Sequence, residues 1–415
     1  MNTEVIAIAD EILKGIVINS NSTFISAALG KIGLKVHRHT VFPDQPHILK
    51  QGFTEALTRS DLVICTGGLG PTLDDLTRGV AADLFSSGFV FNQDIAEDLV
   101  RRYGPSLISF QDQATVPEKA FILRNTVGTA PGFIFQEKEK MLVLLPGVPL
   151  EMEAMLENEV LPFLRQHLPE QARYVSENIF FCHLSEMMLD PILRTIQEQF
   201  PSMDIGVYPG YGTLSVTFRS LDSCALSLAK QQIIDAFPTY VFSSKQGKIE
   251  DALIDLLRSK KRTVCFAESC TGGLLSHKLV ALPGASDVFV GSLVTYSNAL
   301  KEKVLNVSAS SLQQHGSVSA EVVRQMLTGA FAVSGADYVI AVSGIAGPSG
   351  ASEDKPIGTV WAAIGEKNHP PEVFNLQFQG TRQVIMLSAT HRLLGSLYRK
   401  IRYGIAASNP EPNTA

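Results

Sequence analysis

The sequence predicts an α/β protein of more than one domain, and three observations carry that reading. Short β-branched apolar runs alternate with stretches of helical periodicity, the pattern of parallel strands joined by crossover helices. Glycine-rich turns directly follow the best of those runs, where such a sheet places its ligands. The length, 415 residues, exceeds the roughly 100 to 200 residues of an ordinary domain.

Val5 to Ala9, Val36 to Val41 and Leu62 to Cys65 read as the first three strands of a parallel sheet. The helix between the first two opens on Asn21 or Ser22 as N-cap, runs through Phe24, Ile25 and Leu29, and closes at Gly30 and Gly33. The pattern breaks from Pro162 to Pro169. A small α+β section follows: strand (Asn178 to Cys182), helix (Met187 to Gln199), strands (Ile205 to Val207, Thr213 to Arg219), helix (Ala225 to Ala236). A polar stretch at Ser243 to Lys248 precedes a helix from Ile249 to Arg258, and strands and helices then alternate to about Tyr403. The expected domains are therefore 1–168, 169–245 and 246–404, with 405–415 a disordered tail that holds two prolines and no apolar pattern.

Hydrophobic residues make up 45% and charged residues 18%, which excludes wholesale disorder. The 35 basic against 41 acidic residues give a net charge of -6, the wrong sign for a nucleic-acid footprint. No run approaches the ~18 apolar residues of a membrane span, and Met1 to Asp10 lacks the basic start of a secretion signal. A cytoplasmic protein without nucleic-acid or membrane partners is expected. The five cysteines lack zinc spacing and read as reduced thiols, with Cys65, Cys182, Cys224 and Cys265 in the core. His37 and His39 alternate along a strand without a third ligand and read as a surface face.

Two segments, Asp61 to Pro71 and Asp337 to Pro348, run a buried strand into a hydroxyl, glycines and a proline. Such turns bring bare backbone N–H groups up to an anion. In the first, Gly67, Gly68 and Gly70 are followed by Asp74 and Asp75, and Asp10-Glu11 leaves the end of the first strand. The carboxylates fit two roles: holding a hard cation against phosphate oxygens, or, for Asp74 and Asp75, capping the helix from Leu76.

In the second half, Thr263 to Gly273 passes from strand into a hydroxyl-rich glycine turn, so Ser269 is the first nucleophile candidate, with Thr271 second and Cys270 third. His277, the nearest histidine, reads as surface. The amides of Thr271, Gly272 and Gly273 are candidate oxyanion donors. Val294 to Lys301 adds Tyr296 and Lys301; the lysine serves as base only if burial or a neighbouring cation lowers its pKa, and otherwise is as solvated as Lys303. Gly344 and Gly347 lie in the second glycine turn, Trp361 in a strand core, and Arg382 before the last helix as a phosphate partner.

Asp10-Glu11 with Asn19 and Asn21, the Gly67 to Asp75 motif, Val127 to Gly132 and Leu145 to Met152 resemble the N-terminal half of the CinA family. Ala267-Glu-Ser-Cys-Thr-Gly-Gly273, Thr295-Tyr-Ser-Asn-Ala-Leu-Lys301 and Ser343-Gly-Ile-Ala-Gly-Pro348 resemble its C-terminal domain, from about Ile249 to Tyr403. The resemblance implies a molybdopterin-binding-like N-terminal domain, a small α+β domain and a C-terminal domain like nicotinamide mononucleotide deamidase. For the first half it implies an ADP-ribose pyrophosphatase activity with a divalent metal at Asp10, Glu11, Asp74 and Asp75, Asp75 matching the acidic residue of the molybdopterin signature. For the second it implies a cofactor-free serine amidohydrolase: Ser269 the nucleophile, Lys301 and Tyr296 acting on its proton, Arg382 on the phosphate. The alternative is a nucleotide- or pterin-binding protein without turnover. A homodimer is also expected.

The chain departs from the family pattern at several positions. Ala9, Pro43 and His183 stand where the family has glycine, and a left-handed backbone would be strained at any of them. Ala351 replaces a glycine, Thr381 an aspartate and Met386 a frequent arginine.

Overall fold

The computed structural model describes residues 1–70, 75–104, 110–167, 174–243 and 247–407. They belong to two compact units, Met1–Ser176 and Glu177–Ala415. Asp74 and positions 408–415 of the expected tail lie outside the described residues.

The first unit contains, in chain order, β1 (Thr3–Ile8), β2 (Val36–Phe42), β3 (Leu62–Thr66), β4 (Phe89–Phe91), β5 (Thr115–Pro117), β6 (Phe121–Leu123), β7 (Gly132–Glu137) and β8 (Lys140–Leu145). Its main sheet has the order β2-β1-β3-β8-β7-β6, and β4 pairs with β5 apart from it. β1, β2, β3 and β8 are parallel, as the alternating pattern predicts. β7 and β6 instead run antiparallel. Only Lys138 and Glu139 join β7 to β8, with Lys138 at φ 55, and so short a link permits a hairpin and nothing else. Alternate residues fill two cores: Val5, Ile64 and Val143 on one face of the sheet, Ile6, Val63 and Leu142 on the other.

The first long helix is Ser20–Lys31, and its N-cap is Asn19, whose side chain accepts from the Ser22 amide at 3.1 Å. Capping two residues earlier than the sequence suggests places Asn21 inside the first turn. Its amide then donates to Thr66 Oγ1 at 3.0 Å and to the Gly147 carbonyl at 2.8 Å, tying the helix to the end of β3.

In the second unit β9 (Val175–Cys182), β10 (Asp204–Pro209), β11 (Thr213–Ser220) and β12 (Val241–Phe242) form a sheet of order β10-β11-β9-β12. Leu214, Val216 and Phe218 alternate inward along β11 onto Phe181, Leu189 and Ile233. β13 (Val264–Glu268), β14 (Phe289–Val294), β15 (Tyr338–Gly344), β16 (Thr359–Glu366) and β17 (Glu372–Gln377) form the other sheet, ordered β14-β13-β15-β16-β17. β13 is parallel to both neighbours, with Glu268 opposite Val294 and Val342, so the carboxyl ends of three strands meet at one edge. The two sheets share apolar contacts: Cys182 and Phe242 belong to the same core as Leu253, Leu393 and Leu397.

The departures from the glycine pattern resolve individually. Ala9 has φ -171, extended backbone open to any residue. Pro43 and Ala351 do not lie in the left-handed region, and His183 does, at φ 63. The buried imidazole offsets that strain: Nδ1 accepts from Arg399 at 3.0 Å, so Nε2 carries the proton and donates to the Arg392 carbonyl at 2.9 Å. Burial, with Arg392 and Arg399 nearby, holds its pKa well below the ordinary value. Cys65, Cys182 and Cys265 are buried as expected, but Cys224 is exposed. It sits at the start of helix Ser223–Ala236, where Asp222 caps its amide and the apolar stripe has not yet begun. His37 and His39 are exposed, and Trp361 is half-buried against the β13–β16 core. Among the described residues no helix is long and apolar enough to cross a membrane.

Candidate functional sites

In the first unit the carboxyl ends of β1 and β3 open into a cavity of about 630 Å³. Glu11, Gly67, Gly68, Gly70 and Asp75 line it, so five of the residues singled out from sequence converge. Gly67 has φ 114, and a Cβ there would lie 2.2 Å from the Ile8 carbonyl oxygen, so no other residue fits. Asp10 turns away to pair with Lys14 at 3.0 Å, an i,i+4 contact of the short helix Asp10–Leu13. Two lining carboxylates were missed: Asp44 and Glu151. Burial, reinforced by Asp10, Glu11 and Asp75, raises the Asp44 pKa. Among the described residues no three His, Cys, Asp or Glu side chains are grouped to hold a metal ion. Asp74, one of the four expected ligands, lies outside the described residues.

In the second unit the edge where β13, β14 and β15 end brings Ser269 and Lys301 together. Ser269 follows β13, and its amide donates to the Val342 carbonyl at 3.0 Å. Ser297 caps helix Asn298–Leu305 by accepting from the Leu300 amide at 3.2 Å, which turns Lys301 inward. The lysine is only 1% exposed. Its Nζ lies 3.0 Å from Ser269 Oγ, 2.8 Å from the Thr295 carbonyl and 3.2 Å from that of Tyr296. Burial is the main cause that lowers its pKa to about 8. A neutral amine has two N–H groups; the two carbonyls take both and leave the lone pair for the serine proton.

The rival nucleophiles are disabled. The Cys270 thiol is pushed up to about 12 by burial. The buried Thr271 hydroxyl donates to Glu268 at 2.7 Å, and His277 is exposed. Tyr296 was expected to act on the base, but its hydroxyl instead accepts from Arg382 Nη2 at 3.0 Å, and only its carbonyl reaches Lys301. The cause is β14, which ends before Thr295 and leaves Tyr296 58% exposed at the rim. Arg382 Nη1 donates to the Gly347 carbonyl at 2.9 Å, joining the second glycine turn to the same rim. Thr381 caps the final helix, Arg382–Tyr403, by accepting from the Val384 amide at 3.4 Å. Gly344 packs tightly, since a Cβ there would approach Val360 to 2.7 Å and Cys270 Sγ to 3.0 Å. Met386, in the first turns of this final helix, packs against the core.

Of the three amides expected to receive an oxyanion, two are occupied. Gly272 donates to the Ser269 carbonyl at 3.1 Å and Gly273 to Glu268 Oε2 at 3.0 Å. The amides of Thr271 and Cys270 donate to no backbone carbonyl among the described residues.

Comparison with known proteins follows the same division. Residues 246–401 match the family model for the CinA C-terminal domain, and residues 4–166 match the one described as "Probable molybdopterin binding domain". A CinA-like protein of Chloroherpeton thalassium is 35% identical over 379 residues, covering 88% of this chain and 90% of that protein. A CinA-like protein of Dictyoglomus thermophilum is 32% identical over 413 residues, covering 96% and 99%. The crystal structure of a CinA protein of unknown function from Thermoplasma acidophilum is 36% identical, covers 39% of this chain and 96% of its own, and superposes with a TM-score of 0.37. The chain belongs to the CinA family.

Proposed function

We propose that the C-terminal half is a serine amidohydrolase that converts nicotinamide mononucleotide to nicotinate mononucleotide and ammonia. The observation that supports it best is the buried Lys301 amine 3.0 Å from Ser269 Oγ, with a pKa of about 8. Neutral Lys301 takes the serine proton as Oγ attacks the carboxamide carbon, and the amides of Cys270 and Thr271 receive the oxyanion. The Lys301 ammonium returns the proton to the departing nitrogen, which leaves as ammonia. Water, deprotonated by the regenerated amine, then hydrolyses the acyl-serine. Arg382 and Tyr296 at the rim suit the phosphate of the substrate. Ammonia release by the parent protein and by Ser269→Ala tests the reading; equal release from both removes it.

For the N-terminal unit, the 630 Å³ cavity and its glycine turn favour binding of a phosphorylated nucleotide or pterin. Diphosphatase turnover of ADP-ribose with a divalent metal is the stronger form of this reading. Chromatography of ADP-ribose with and without divalent metal separates them: metal-dependent product supports turnover, and calorimetric binding without product supports a binding module.

A further inference from the structure

Glu268 is the last residue of β13 and the neighbour of Ser269, and it is completely buried. A carboxylate in that position is costly to hold unless donors surround it. Five do, and a sixth is shared. Oε2 accepts from Thr271 Oγ1 at 2.7 Å, the Gly273 amide at 3.0 Å and the Leu275 amide at 3.1 Å. Oε1 accepts from the Ser276 amide at 3.1 Å and Ser292 Oγ of β14 at 2.9 Å; Ser276 Oγ, 3.0 Å away, divides its one proton between this oxygen and the Gly273 carbonyl at 2.8 Å. No cation among the described residues pairs with it.

The pattern of those donors has a chemical consequence. An ionised carboxylate only accepts, so it fixes the direction of every group around it. Glu268 takes the amides of Gly273, Leu275 and Ser276, while the Gly272 and Leu274 amides turn back to Ser269 and Thr271 carbonyls. The N–H groups left over in the turn are those of Cys270 and Thr271, immediately after the nucleophile. Ser292 ties the same carboxylate to the strand that leads to Thr295 and Lys301.

We propose that Glu268 is the positioning residue of this site: by gathering the donors of the glycine turn and of β14 onto one carboxylate, it holds Ser269 against Lys301 and keeps the Cys270 and Thr271 amides free for the oxyanion. The proposal rests on the serine-hydrolase reading above but not on its substrate. Glu268→Gln preserves volume and turns one acceptor into a donor that faces other donors. The measurements are kcat and KM with nicotinamide mononucleotide, the pH dependence of kcat, and the rate at which a fluorophosphonate labels Ser269.

The expected result for Glu268→Gln is a fall of about 10²-fold in both kcat and labelling rate, the scale of a lost oxyanion donor. KM stays within about twofold and the pH midpoint is unmoved, because Glu268 acts on the turn and not on the base. A folded variant labelled at the parent rate overturns the proposal, and so does a shifted pH midpoint. If the glutamine variant does not fold, Thr271→Val and Thr271→Ser replace it. Slow labelling in the valine variant with recovery in the serine variant supports the proposal; equal rates in the two overturn it. A parent protein labelled at Ser269 that releases no ammonia from the nucleotide defeats the substrate assignment alone, whereas a parent that is not labelled defeats both.

Discussion

Lys301→Met separates the cost of the base from its use. In the folded chain the amine is buried and its pKa falls from the ordinary 10.5 to about 8. At about 1.36 kcal/mol per pH unit that displacement corresponds to about 3 kcal/mol. The sign follows from where the protons are. Below pH 8 the lysine is charged in both states and the native state carries the whole penalty. Between about pH 8 and 10.5 the native state has released its proton while the unfolded chain keeps it, so stability rises with pH. Above 10.5 both are neutral and the contribution is flat. Methionine has no such dependence. It fills a similar volume but leaves the Thr295 and Tyr296 carbonyls without their donor, a loss of about 1 to 3 kcal/mol for each buried group left unsatisfied. Absolute stabilities at pH 7 therefore mix opposing effects, and the pH-dependent difference is the clean quantity. Urea unfolding of both proteins from pH 7 to 10.5 should show the parent gaining about 3 kcal/mol relative to the variant. The activity of the parent should rise through about pH 8, and the variant should be inactive. A stability difference that stays constant across that range would refute the buried, shifted amine.

Three further outcomes follow from the geometry. Tyr296→Phe removes the hydroxyl that meets Arg382, so KM should rise about 3- to 10-fold, the scale of one hydrogen bond; a moved pH midpoint of kcat would instead place the phenol on the base. Gly358→Ala puts a Cβ 1.8 Å from the Phe378 carbonyl oxygen at φ 92, and a denaturant melt should show a loss of about 2 kcal/mol or more. Asp44 is held above its ordinary pKa by burial and by Asp10, Glu11 and Asp75, so its charge destabilises the native state at neutral pH. Asp44→Asn should therefore raise the melting temperature at pH 7 but not below the unfolded aspartate pKa, where both side chains are neutral; no gain at pH 7 contradicts the acidic wall.

How much of this was legible varies with the distance over which each feature is determined. The strands around Ile6, Ile64 and Ile340 follow from local β-branched runs, and the meeting of Ser269 with the Thr295–Lys301 segment follows from parallel neighbours ending together. The antiparallel pairing of β7 with β8 did not follow from alternation, because it depends on connection length, two residues here. Burial of Lys301 was open, since a lysine in the first turn of a helix is solvated unless the strand beside it closes over. Asp44 was missed because its place is set by register: Phe42 lies opposite Ile8, which brings the residues after β2 beside Ala9 and Glu11. Glu268 enters the sequence reading only as a member of the Ala267–Gly273 motif. Its own place along the chain does not announce the donors that arrive from the turn and from β14.

The final helix, Arg382–Tyr403, begins at the site rim and passes His183 in its last turns, where Arg399 meets Nδ1, donates to the Thr239 carbonyl at 3.0 Å and stacks over Tyr240 at 4.5 Å. At about 1.5 Å per residue, some 25 Å of rigid rod separate Arg382 from Arg399. One end touches the candidate phosphate partner and the other fastens the β9–β12 sheet. If a nucleotide binds the rim as proposed, the exchange of amide protons in that sheet is expected to slow, because opening the sheet would free the helix that the ligand holds in place. Slower exchange at the amides paired between β9 and β12 would report a ligand that never comes near them.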